Sequence, residues 1–155
     1  MGRLLALAII IVSFSPGALA KKPHCIFRLH VAANARDTEV FATEWTSQAT
    51  GKQIVIEKVP TISERDVVSF RAYKSNDGTF GVLLQLDDHG RLALDSLSVE
   101  HRGGSAYLFM NGRALTEMQI DRRVADGKVY IPSGLTPQDL ALMKKDWPLI
   151  GAKRR

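Results

Sequence analysis

Only one cysteine, Cys25, occurs in the 155 residues, so no intramolecular disulfide can form. Stability must therefore come from packing and hydrogen bonds. Beyond residue 14 no apolar run approaches the length of about 20 residues that a membrane-spanning helix needs. The G-x-S-x-G nucleophile elbow is missing. Gly103-Gly104-Ser105 is the richest glycine run, and it leads into a strand instead of a helix, which excludes a phosphate cradle. Aromatic residues make up 7% of the chain and are not interleaved with the basic ones, which argues against nucleic acid as a partner. Repeats, linkers and low-complexity segments are also absent.

What is present begins with a secretory signal. Arg3 forms a short positive region, residues 4–14 an apolar one, and Ser15-Pro16-Gly17 breaks any helix before the A-x-A site Ala18-Leu19-Ala20. Cleavage after Ala20 is expected, with residues 1–20 as signal peptide and 21–155 as one mature domain in the periplasm or outside the cell. Cys25 is no lipoprotein cysteine, because Lys22-Pro23-His24 replace the small residues of a lipobox. Removing the signal takes away Arg3 alone and lowers the formal charge from +5 to +4. Much of that excess lies in Lys144, Lys145, Lys153, Arg154 and Arg155, which read as a solubilising tail. No stable membrane insertion is expected after cleavage.

The mature chain is organised around residues 106–120, where an apolar run meets Asn111-Gly112 and leaves as an alternating run. Asn-Gly supplies the positive φ angles of a tight hairpin. Upstream, residues 24–31 alternate: Cys25, Phe27, Leu29 and Val31 share one face, His24, Ile26, Arg28 and His30 the other. Residues 40–45 read as a short edge strand, and 53–59 as a strand stopped by Pro60. Residues 61–66 are a connection with a helical turn capped by Ser63. Strands over 67–74 and 79–86 flank the turn residues 75–78. Val68, Phe70 and Ala72 are expected on one face of the former, and Phe80, Val82, Leu84 and Leu86 on one face of the latter. Asp87 or Asp88 caps a helix whose stripe is Gly90, Ala93, Leu94, Leu97 and His101. Residues 128–131 form another short strand. Thr136-Pro137-Gln138-Asp139 opens a second helix bearing Leu140, Met143 and Trp147. Two helices against a mixed or antiparallel sheet predict a two-layer α+β domain.

Candidate chemistry is sparse. His24, Cys25 and His30 hint at a metal site, but a strand places Cys25 on the face opposite both histidines, and no second cluster completes four ligands. Asp87-Asp88-His89 offers oxygen and nitrogen ligands, yet its place at a strand-to-helix junction assigns it to capping. His101 is a conceivable general base, but it falls on the apolar stripe. No catalytic, cofactor-binding or metal-binding set is assigned. Cys25 reads as a small apolar strand residue, with pairing between chains as the alternative. The candidate partner-binding residues are Phe41, Trp45 and Tyr130 at strand edges, with the turn residues Asn111 and Gly112.

The segment Leu86-Asp87-Asp88-His89-Gly90-Arg91-Leu92-Ala93-Leu94 resembles the place in the SecD/SecDF protein-export family where a strand ends and a glycine opens a helix. Leu108-Phe109-Met110-Asn111-Gly112-Arg113 is similar to the family's apolar strand ending in Asp-Gly, with Asn111 replacing Asp. Ile131, Gly134, Leu135-Thr136, Asp139 and Ala141 look like its closing segment, and Val59-Pro60 with Asp66-Val67 fit its upstream part. The match covers residues 59–143 and corresponds to the head of the first periplasmic domain. It implies a stand-alone, non-enzymatic module that binds polypeptides or envelope proteins. The family's multi-helix membrane domain, and with it an energy source, would be absent. Two other readings stay open: a secreted hydrolase using His89 or His101, and a structural partner in envelope assembly. Mass spectrometry of the exported protein should find Lys21 as its first residue; a retained Met1 would contradict the cleavage site.

Overall fold

The computed structural model describes residues 24–34, 40–48 and 50–152. Residues 1–23, 35–39, 49 and 153–155 lie outside the described residues, and with them the expected signal peptide, its cleavage site and the basic Lys153, Arg154 and Arg155. The strands are β1 (Phe27–Val31), β2 (Ala42–Thr46), β3 (Gln53–Glu57), β4 (Ile62–Ser63), β5 (Val67–Lys74), β6 (Phe80–Leu86), β7 (Ser105–Met110), β8 (Arg113–Gln119) and β9 (Lys128–Leu135). The helices are α1 (Asp88–Glu100) and α2 (Pro137–Asp146). This is the α+β architecture expected. Its strands divide into a sheet of order β4-β1-β7-β8, a β2-β3 hairpin and a sheet of order β5-β6-β9, and the strand pairs within these sheets are antiparallel.

The alternation in β1 builds the core directly. Phe27 and Leu29 are fully or almost fully buried, Val31 nearly so, and they pair across β7 with Met110, Leu108 and Ala106. Phe70, Val82, Leu84, Val129 and Ile131 of the β5-β6-β9 sheet join the same core, as do Leu94 and Leu97 of α1 and Met143 of α2. Cys25 belongs to it as well. Its thiol donates to the Met110 sulfur at 3.3 Å, and burial first, then the nearby Asp139, Asp146 and Glu64 carboxylates, push its pKa up to about 12. A thiol held in that form is unreactive.

The Asn111-Gly112 turn has the expected left-handed geometry, φ 51° and 82°. Asp87 caps α1 by accepting from the Gly90 amide at 2.8 Å, whereas Asp88 is exposed. Thr136 and Asp139 form the reciprocal capping box of α2.

Irregularities account for the departures from the expected pattern. A bulge between Val67 and Ser69 resets the alternation of β5, so Val67 joins Phe70 in the core and Val68 is only half-buried. The expected edge strand over 40–45 forms at Ala42–Thr46, leaving Val40 and Phe41 in the turn before it. The connection 61–66 contributes β4, which pairs with β1, before the capped turn at Glu64–Asp66. β9 runs through Pro132 to Leu135, past the expected end at 131, with a second irregularity where it faces Phe80 and Val82 of β6. Ser98 replaces His101 on the buried stripe of α1. Its hydroxyl donates to the Asp95 carbonyl and accepts from the Val124 amide, both at 2.8 Å, while His101 is the half-buried C-cap.

Leu97 is 4% exposed within this core. Leu97→Ala should cost about 2–5 kcal/mol in chemical denaturation, the range for truncating a buried leucine.

Candidate functional site

β3 and β4 flank the same edge of β1, and the chain bends between them. Ala32 bridges to Ile56, and the Ala33 amide donates to the Val55 carbonyl at 2.8 Å. Beyond residues 58–60, where Pro60 has no amide to donate, Thr61 rejoins β1 by donating to the Leu29 carbonyl at 2.9 Å. The β2-β3 hairpin is thereby turned over the outer face of the four-stranded sheet. Trp45 meets Phe109 edge-to-face with centroids 4.9 Å apart, and His30 packs on the same ring at 5.3 Å. Glu117 of β8 clamps the far end of β2, accepting from the Ser47 hydroxyl at 2.9 Å and the Gln48 amide at 2.6 Å.

The hairpin and the sheet do not close completely on one another. Between them lies a cavity of about 350 Å³, lined by Ile26, Arg28 and His30 of the first strand region, Thr43, Trp45 and Ile56 of the hairpin, and Phe109 and Gly112. The walls are mostly apolar. His30 is buried, and its Nδ1 lies 2.7 Å from the Glu57 carbonyl. A carbonyl only accepts, so Nδ1 carries the proton. Burial lowers the His30 pKa. The Glu57 hydrogen bond opposes this, and the Arg28 charge works with it.

The candidate residues fall in different places. Trp45 and Gly112 both line the cavity. Asn111 sits beside it, but its side chain is engaged internally: it accepts from the Ile26 amide at 3.0 Å and donates to Asp139 at 2.7 Å. Phe41 is 69% exposed in the turn before β2. Tyr130 is 56% exposed on β9, away from the cavity, and stacks on Tyr73 with centroids 5.5 Å apart. Tyr73 reaches across β6 over Gly81, where a Cβ would collide with its ring, and its hydroxyl donates to the Ile131 carbonyl at 2.5 Å. Arg28, His30 and Phe109, none of them among the expected partner-binding residues, are brought into the site by the hairpin. The shared face of Arg28 and His30 was visible in the alternation of β1, and Phe109 of β7 pairs with Arg28; what covers that face was not visible.

The histidines expected as possible ligands or bases are separated. His24 bonds Asp146 through Nδ1 at 2.7 Å, Cys25 points into the core, and His30 lies on the opposite face. Asp66, Asp87 and His89 do present ligand-type atoms within 4.8 Å of one another. Each carboxylate already has a structural partner: Asp66 accepts from the Ser63 amide and hydroxyl and from His89, and Asp87 caps α1. Ser63, Asp66 and His89 are also in the wrong order for a nucleophilic triad, since the serine bonds the aspartate and not the histidine that must take its proton.

Known family models do not match this chain, nor do curated proteins. Solved structures do. A SecDF crystal structure in a super-membrane-facing form superposes with a TM-score of 0.55 at 15% identity, covering 81% of this chain. The fold is SecDF-like and corresponds to one part of that protein. A second SecDF structure, described as a membrane component that enhances protein export, gives a TM-score of 0.54 at 14% identity over 84% of this chain. The chain spans 19% of the first SecDF chain and 69% of the second. Among its described residues no helix is long and apolar enough to cross a membrane.

A histidine whose folded pKa is lowered favours the folded state fully above its ordinary value of about 6.5, and that contribution is lost as pH falls through the folded pKa. Urea midpoints measured at pH 7.5 and pH 5.0 should therefore fall further for the wild type than for a His30→Gln variant. Equal losses would mean that His30 protonation does not strain the packing of the hairpin.

Proposed function

We propose that this chain is an exported, non-enzymatic module that binds other polypeptides, as a protein-export accessory or a partner of envelope proteins. The observation that carries this reading is a pair of strand edges, each beside an exposed aromatic. β2 pairs with β3 alone and β9 with β6 alone among the described residues, next to Phe41 and Tyr130 respectively. An edge strand offers main-chain donors and acceptors to an incoming extended chain, which tolerates many sequences, and an adjacent aromatic adds contact area. Val40, 70% exposed, widens the apolar surface beside β2. The SecDF-like fold supports the same reading, since one of the similar structures is of a component that enhances protein export. Trp45, Asn111 and Gly112 are proposed as the inner border of the β2 surface. On this reading the module acts in the periplasm or outside the cell, takes no cofactor or metal, and binds no nucleic acid.

Photo-crosslinkers placed at Phe41 and at Tyr130, with one at the buried Leu108 as control, should capture unfolded or translocating polypeptides in cells at the edges only. If neither edge captures protein, while the chain turns over a small substrate in a manner abolished by His101→Ala, the enzyme reading replaces this one.

A further inference from the structure

The cavity under the β2-β3 hairpin has a chemistry of its own. The pocket of about 350 Å³ walled by Trp45, Phe109, Ile26 and Ile56 is open to solvent, since Arg28, Thr43 and Gly112 on its lining are exposed. It falls at the small end of the range of ligand pockets, about 300–1,000 Å³. It therefore suits a single residue-sized body and not an extended segment.

Its one charged lining group is Arg28. Among the described residues Arg28 makes neither an ion pair nor a side-chain hydrogen bond, unlike Arg91, Arg113 and Arg123, each of which has an aspartate. Among the described residues, the carboxylates of the hairpin and of β8 are directed elsewhere. On the hairpin, Glu44 pairs with Val55 and Glu57 with Ala42, on the face opposite Thr43, Trp45 and Ile56. Glu117 is occupied by Ser47 and Gln48. His30, its pKa lowered by burial, is neutral at pH 7 and adds no second charge. The result is an aromatic-walled pocket with a single guanidinium that has no ion-pair partner among the described residues, a group whose planar fork matches a carboxylate.

We propose that this pocket binds an apolar or aromatic carboxylate about the size of one amino-acid residue, its body packed against Trp45 and Phe109 and its carboxylate on Arg28. Such a ligand has two sources: a free small acid, or the C-terminal residue of a polypeptide. The site is distinct from strand addition at the edges of β2 and β9 and stands or falls separately from it.

Calorimetry on the unaltered protein tests the proposal with N-acetylphenylalanine, its amide, and a pentapeptide ending in phenylalanine with a free or an amidated terminus. At least one free acid should bind saturably, with the matching amide weaker by about tenfold or more, the least that a charge-assisted hydrogen bond supplies. Arg28→Gln, at an exposed position, should cause a similar loss, and Thr43→Trp should block the pocket. A peptide acid that binds at least about tenfold tighter than the acetylated amino acid assigns the site to polypeptide C-termini; any other order assigns it to small acids. Amides that bind as well as acids, an Arg28→Gln variant with unchanged affinity, or no saturable binding of either acid up to about 10 mM would each overturn the proposal.

Discussion

Two carboxylates on α2 tie the halves of this domain together. Asp139 is buried and accepts from the amide and hydroxyl of Thr136, from the Asn111 side chain and from Arg113. One side chain thus caps α2 and grips the β7-β8 turn. Ten angstroms along the helix, in the order of two turns, Asp146 accepts from the amides of His24 and Cys25 and from the His24 ring. Burial alone would raise both pKa values. The hydrogen bonds outweigh it and hold both carboxyls below their ordinary range. Charges of this kind are tolerated inside a protein only when so fully bonded, and removing a partner leaves the charge uncompensated. The apolar core between the sheets therefore depends on polar bonds at its rim for its registration.

Asn111 explains how that registration reaches the outer face. Its backbone takes the left-handed conformation that the tight turn requires. Its side chain meanwhile accepts from the Ile26 amide and donates to Asp139, so one residue links the turn, the residue before β1 and α2. Ile26 and Gly112, both next to these bonds, then line the cavity. An aspartate at this position would accept from Ile26 but would offer no N–H to Asp139, placing two carboxylates side by side. The amide is what the local chemistry demands here.

The hairpin that closes the cavity is attached differently. Among the described residues it is joined to the end of β1 by the Ala32–Ile56 bridge and the Ala33 bond to Val55, and it bears on the sheet through one aromatic cluster, the His30 bond to Glu57 and the Glu117 clamp. They leave apolar walls beside Arg28, which has no ion-pair partner among the described residues. A SecDF-like fold does not by itself specify such a feature, because function resides in sites placed on folds. The strand edges and the pocket are properties of this chain's own residues.

Much of the fold was legible in the sequence because its signals are local. Period-two alternation identified the buried face of β1 through Phe27, Leu29 and Val31. Asn111-Gly112 marked the β7-β8 hairpin, and Thr136 with Asp139 marked the start of α2. These features depend on backbone sterics and on bonds within three or four residues, which neighbouring residues decide. The bulge at Val67/Ser69, the burial of Ser98 and the extension of β9 were not legible, since each answers to a partner far along the chain. The site shows the same division. Alternation alone set Ile26, Arg28 and His30 on the face away from the core, and composition alone ruled out a disulfide. Whether that face met water or another layer was decided by the bend before Thr61 and the docking of Trp45 on Phe109, a contact between residues 64 positions apart that only the folded chain brings together.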